Sequence, residues 1–143
     1  MRAGLNIGLS GIPWWTTDIG GFNGGDITTP YFRELIVRWF QFGVFCPIFR
    51  LHGYRGPNNG IMTTSGADNE VWSFGEEAYG IISKLLFLRE ALRPYIHTHM
   101  EFASQSGLPI MRPLLVVACL LAAWIALPAT TTSLSGFSSA MCR

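Results

Sequence analysis

The stretch "TTPYFRELIVRWFQFGVF", Thr28 to Phe45, lies between two short apolar runs, and that placement restricts the fold more than any other feature. Thr29 suits a helix N-cap, and Pro30 suits the first helical position, where its missing N–H and fixed φ do no harm. Phe32, Leu35, Ile36, Trp39, Phe40 and Gly43 then recur at three- and four-residue spacing, which predicts a helix with one buried face. Upstream, "NIGLSGIPWW" reads as a short strand punctuated by Gly and Pro. Downstream, "PIFRLHG" reads as a second strand, with Ile48, Arg50 and His52 on one face and Phe49 and Leu51 on the other. Two short strands joined by an amphipathic helix predict a parallel crossover, hence an α/β fold.

A loop rich in Gly and Asn follows from Gly53 to Gly75, and loops of that length without structure of their own are commonly functional. A long helix is predicted from about Glu76 to Ser106, with a buried stripe through Ile81, Leu85, Leu88, Leu92, Tyr95, His99 and Ala103 and with Gly107 as its C′ residue. Pro94 is expected to kink or split it after Leu92, because an interior proline costs about 3 kcal/mol.

With 143 residues the chain has room for one domain with a core. Charged residues make up 13%, against about a quarter in ordinary soluble domains, while apolar residues make up 49%, so the sequence reads like the interior of something larger. A formal net charge of +1 without runs of either sign argues against a nucleic-acid partner and against a polybasic membrane patch. Cys46, Cys119 and Cys142 are odd in number, far apart and without a C-x-x-C pair, so free thiols are expected rather than a disulfide framework or metal site. "MRAGLNIGLSGIP" has no continuous apolar h-region, so no signal peptide is visible and the compartment stays open. No cofactor is expected: His97 and His99 lack the i, i+4 spacing of a zinc pair, and Asp68, Asn69 and Glu70 lack the spaced pattern of a calcium loop.

The segment "SGIPWWTTDIGGF" sets two tryptophans beside a lone carboxylate and a double glycine. Indole area is an uneasy neighbour for an ionised Asp18 unless the carboxylate has a partner to bond, which suggests a ligand site over simple packing. On a strand Trp14 and Trp15 point to opposite sides, so one of them is expected to pack; by residue type alone Asp18 also suits a turn or N-cap, and His52 a hydrogen-bonded core histidine.

In order and spacing, "GLSGIPWWTTDIGGF", "FRELIVRWFQFGVFCPIFRLHG" and "EEAYGIISKLLFLREALRPYI" followed by "GLPIMRPL" resemble the later part of the catalytic barrel of glycoside hydrolase family 31. That family contains α-glucosidases and α-xylosidases, and the double tryptophan before T-T-D looks nearer the α-xylosidase branch. The resemblance runs from about Met1 to Leu114. It implies a fragment of a (β/α)8 TIM barrel, namely the last two βα units, with sugar bound at the C-terminal ends of the strands. By the same resemblance Asp18 is the aspartate that hydrogen-bonds sugar hydroxyls in the −1 subsite, Phe22 an aromatic lining it and His52 a further hydroxyl partner. Trp15 and Arg50 join them as candidate substrate-binding residues, Arg50 by orienting neighbouring carboxylates. A sugar offers hydroxyls to polar groups and C–H faces to rings, so these residue types suit it.

A retaining glycosidase needs two carboxyl groups about 5 to 5.5 Å apart. In this family both are implied to be aspartates on earlier strands, in a W-x-D-M-N-E type segment and a G-D-N/T type segment, and neither segment occurs here. No residue is therefore assigned as nucleophile or general acid, the isolated polypeptide is expected to be inactive, and the remaining βα units are an implied partner. Residues 1–113 are taken as the partial barrel and 114–143 as an aberrant tail. After "GLPIMRPL" the run "LLVVACLLAAWIAL" is short of the ~20 residues that span a bilayer as a helix, so it is expected to reflect a gene-model error or read-through sooner than a membrane anchor. The alternative is a non-catalytic sugar-binding or membrane-associated remnant.

Overall fold

The computed structural model describes residues 2–56 and 67–126. Its helices are α1 (Arg2–Leu9), α2 (Pro30–Gly43), α3 (Glu76–Ala91), α4 (Arg93–Ser106) and α5 (Leu114–Ala126). They fall into two compact units, Met1–Trp15 with Tyr95–Arg143, and Thr16–Pro94.

The second of these units is organised by α2. Thr29 takes extended angles (φ −86°, ψ 138°) and its hydroxyl accepts the Phe32 amide hydrogen, so the cap and Pro30 start the helix as their residue types predict. Phe32, Ile36, Val37 and Phe40 are buried on one face, with Leu35 and Trp39 half-buried beside them. Against that face lie Phe74, Ala78 and Ile82, and the rings of Phe32 and Phe74 meet at 6.2 Å between centroids. Each such side chain, fully buried, contributes about 1.5–3 kcal/mol, which makes the α2/α3 seam the main store of stability in the unit. Gly43 is required at the end of α2 because a Cβ there would come within 2.7 Å of Ile19 Cδ1.

Past α2 the chain turns under a guanidinium. Arg89 on α3 donates from Nη1 to the Val44 and Cys46 carbonyls at 2.8 and 2.5 Å and from Nη2 to the Pro47 carbonyl at 2.9 Å. It thereby supplies donors to carbonyls of the turn that follows the helix, which belong to no ladder. The same group stands 5.4 Å over the ring of Phe49, which meets Phe40 edge-on. Burial of the Cys46 thiol pushes its pKa up to about 11, with the Arg89 charge acting the other way.

The first unit contains α1, where a strand was predicted over "NIGLSGIPWW". Gly4 and Gly8 stand one helical turn apart and are both buried: a Cβ at Gly4 would strike the Trp15 indole, and one at Gly8 would reach Pro109 Cγ at 3.0 Å. Close approach on a small-residue helix face outweighs the β-compatible composition, leaving an irregular run from Gly11 to Trp15. In the same unit α4 buries Ile96 and Ala103, and Gly107 (φ +73°) terminates it with its amide donating to the Ala103 carbonyl at 2.8 Å.

The predicted long helix is divided where expected: Leu92 caps α3, and Pro94 lies in the first turn of α4. Its buried stripe is corrected in part: Leu85 and Ala103 lie inward as predicted, whereas Ile82 and Ile96 are buried where Ile81 and Tyr95 were expected, and Tyr95 is exposed. Ala78 and Ile82 are buried with Leu85 half-buried, whereas Ile81, Leu86, Phe87 and Leu88 are exposed. Because α3 is apolar on more than one side, packing on α2 rather than periodicity selects the inner face.

Strand pairing is also less extensive than predicted. Among the described residues it consists of the isolated bridges Ile19↔Leu51 and Asp26↔Gly56, both parallel, and Arg55↔Ala67, antiparallel. Parallel pairing is weak per residue, and a lone pair of strands is marginal without neighbours. The 13-residue α5 is about 20 Å long, and among the described residues no helix is long and apolar enough to cross a membrane. Residues 127–143 of the expected tail, with Cys142, lie outside the described residues, as do residues 57–66 of the predicted loop.

Replacing Ile36 by Ala is expected to lower unfolding free energy by about 2–5 kcal/mol in a urea titration, since the buried side chain leaves a cavity in the seam. A second expectation follows from the raised Cys46 pKa. An unfolded thiol ionises near ~8.5, so in the folded chain at pH 8–9 a thiol-alkylating reagent should modify exposed Cys119 while Cys46 reacts only after unfolding.

Candidate functional site

The parallel bridge between Ile19 and Leu51 sets the register of the candidate residues, with the Ile19 amide donating to the Arg50 carbonyl at 3.1 Å. Ile19 is buried and Leu51 packs against the core. Successive side chains in extended backbone alternate sides, so Asp18, Arg50 and His52 stand on the face away from the core. Arg50 Nη2 donates to Asp18 Oδ1 at 2.5 Å, with side-chain exposures of 51% and 21%. A pair this open to water contributes at most about 1 kcal/mol to stability, so its use is in fixing the carboxylate's direction.

Two turns bring an aromatic ring alongside. The Gly21 amide donates to the Asp18 carbonyl at 2.7 Å, and Gly20 and Gly21 take φ of +87° and +85°, left-handed values that favour glycine. Phe22 emerges exposed, its ring centroid 5.6 Å from that of His52 and tilted by 37°. The Tyr54 amide donates to the Phe22 carbonyl at 3.2 Å and ties the two segments again beyond the bridge. Gly53, at φ +118°, is indispensable, because a Cβ there would run into the Gly21 carbonyl oxygen and stand 2.7 Å from that of Phe22.

Under these turns lies Arg55, the one buried charged residue among those described. Nε donates to Asn69 Oδ1 at 2.8 Å, Nη1 to the carbonyls of Gly21, Gly24 and Tyr54 at 2.8, 3.1 and 3.2 Å, and Nη2 to those of Ile19 and His52 at 2.9 and 3.2 Å. Its face stacks over Phe32 at 5.4 Å. Burial pushes its pKa down from the usual arginine value, and the negative charge of Asp18 opposes that shift. Sequence reasoning missed Arg55, since an arginine in "GYRGP" looks like a solvated loop residue; the signal was its setting between Gly53 and Gly56, where backbone approaches closely.

Asp18, Phe22, Arg50 and His52 thus come together in one unit. Trp15 belongs to the other unit, where its half-buried indole packs on Gly4. Chemically, the cluster offers a carboxylate with a fixed direction, an imidazole and an accessible ring, a set that accepts and donates hydrogen bonds beside an apolar platform.

The model of the glycosyl hydrolases family 31 TIM-barrel domain matches residues 1–99. The chain belongs to glycosyl hydrolase family 31. It is a partial TIM barrel. Its relatives include a GH31 α-xylosidase from a soil metagenome, solved with xylose, which is 55% identical, superposes with a TM-score of 0.74, and is matched over 78% of this chain and 18% of its own. An α-xylosidase of Saccharolobus solfataricus is 43% identical over 114 residues, 80% of this chain and 14% of the relative. An uncharacterized family 31 glucosidase of Pseudescherichia vulneris is 68% identical over 57 residues, 40% of this chain and 11% of the relative. The chain therefore spans less than a fifth of the length of each of these family 31 proteins.

Asp18→Asn and Gly53→Ala should separate recognition from framework. The first is expected to change unfolding free energy by less than about 1 kcal/mol, and the second to cost more than about 1 kcal/mol through its backbone conformation and the collision with Gly21; chemical denaturation of both variants checks the contrast.

Proposed function

We propose that the chain is the portion of a family 31 α-glycosidase carrying the last two βα units of the barrel, in residues 1–113, with 114–143 a tail foreign to that barrel. The whole protein is a retaining enzyme that hydrolyses α-xylosides or α-glucosides, and this portion supplies sugar contacts of the −1 subsite. Asp18 accepts hydrogen bonds from sugar hydroxyls, His52 provides another polar partner, and the Phe22 ring covers a C–H face. Arg50 directs the Asp18 carboxylate.

One observation carries this reading: Asp18, Arg50 and His52 share the face opposite the core, with Phe22 beside the imidazole. Support comes from the company the chain keeps. The soil-metagenome α-xylosidase was solved with xylose, and a Flavobacterium johnsoniae GH31 dextranase, 44% identical to this chain, was solved as a mutant with isomaltotriose. Family membership favours a glycosidase portion over a non-catalytic or membrane-associated remnant.

Bond cleavage needs a nucleophile and an acid/base about 5–5.5 Å apart. The 143 residues contain neither a W-x-D-M-N-E type nor a G-D-N/T type segment, so both roles fall to other parts of the barrel. The purified 143-residue polypeptide is accordingly expected to leave an aryl α-xyloside and an aryl α-glucoside intact. In an NMR titration xylose or glucose should shift the His52 and Phe22 ring signals, and Asp18→Asn should weaken that response at least tenfold, equivalent to about 1.4 kcal/mol. Hydrolysis by the polypeptide alone would overturn the division of roles; ring signals indifferent to both sugars would overturn the subsite.

A further inference from the structure

A buried cation is costly unless its donors are all engaged, and Arg55 engages its donors in an unusual way. Among the described residues its acceptors are five backbone carbonyls and one amide oxygen, with no carboxylate. The carbonyls of Ile19, Gly21 and Gly24 belong to the segment that presents Asp18 and Phe22, and those of His52 and Tyr54 to the segment that presents His52. Asn69 extends the grip, accepting from Nε through Oδ1 and donating from Nδ2 to the Gly53 carbonyl at 2.9 Å. The first loop is wrapped directly on the guanidinium: a Cβ on Gly20 would lie 2.6 Å from Nη2.

From this geometry we propose that Arg55 is the positioning residue of the sugar subsite, holding the Asp18–Phe22 turn and the His52–Tyr54 segment at one fixed separation. The assignment rests on the sugar-binding reading of these residues. Arg55 is not a catalytic residue, because it is fully buried and each of its three nitrogens already donates to a main-chain carbonyl or to Asn69. A planar fork with five N–H groups reaches both segments at once, whereas the three donors of a lysine ammonium radiate from a single atom and serve one of them.

The experiment compares Arg55→Lys and Asn69→Ala with wild type in the full 143-residue chain. Hydrogen exchange is followed at the amides of Gly21, Tyr54 and Gly56, which donate to the carbonyls of Asp18, Phe22 and Gly25, with the Val44 amide at the end of α2 as internal reference. Arg55→Lys is expected to speed exchange at the three loop amides tenfold or more, to leave Val44 unchanged, and to abolish the xylose response of the His52 ring. Asn69→Ala, which removes only the Nε acceptor and the tie to Gly53, should produce the same pattern at smaller amplitude, and it decides the matter if Arg55→Lys does not fold. Loop amides exchanging at wild-type rates in a folded variant, or an unaltered xylose response with the loops loosened, would refute the positioning role. A wild-type chain indifferent to xylose refutes the sugar-binding reading instead, so the two failures are told apart.

Discussion

Everything the candidate site presents depends on a guanidinium with no ionic partner among the described residues. Arg55 lies where two loops without regular structure converge, and it replaces the ladder that a wide sheet would provide. Among the described residues isolated bridges and single amide bonds join the two loops, so the remaining carbonyls around the fully buried Arg55 need another donor. One side chain answers that demand for several carbonyls at once. The ring of Phe32 beneath it links this polar knot to the α2 core, so the site's frame and the hydrophobic seam are one structure.

Arg89 solves the same problem at the other end of α2. There the chain leaves the helix and must reverse through Val44, Cys46 and Pro47 before entering the segment that carries Arg50 and His52. Both arginines pair a stack on an aromatic face with a set of main-chain acceptors. In a chain with few charges, these two are used internally as donors, a role that their charge alone does not reveal.

Local signals with a mechanical cause were legible. Thr29 and Pro30 start α2, Pro94 divides the long helix and Gly107 ends α4, because each acts through its own backbone. The alternation over "PIFRLHG" was legible too, Phe49 and Leu51 packing inward with Arg50 exposed. What depends on a partner was not. On α3 Leu85 was placed inward correctly but Ile81 and Leu88 were not, because an apolar helix takes its inner face from what it meets, and α1 was misread because its glycines are explained by Trp15 and Pro109. Asp18, Phe22, Arg50 and His52 could be singled out by their chemistry, and the structure brings them near one another; the burial of Arg55 was not legible, since a buried arginine and a solvated one look alike in sequence.

Arg55 grips main-chain oxygens, and apart from Asn69 no side chain of the site contributes to its bonds. Main-chain oxygens are present whatever residue occupies a position. The side chains at 18, 22, 50 and 52 are therefore free to vary while the frame that aims them stays the same. A scaffold of this kind lets the chemistry of its exposed face change by single substitutions without a penalty in folding, provided the arginine and its flanking glycines are kept.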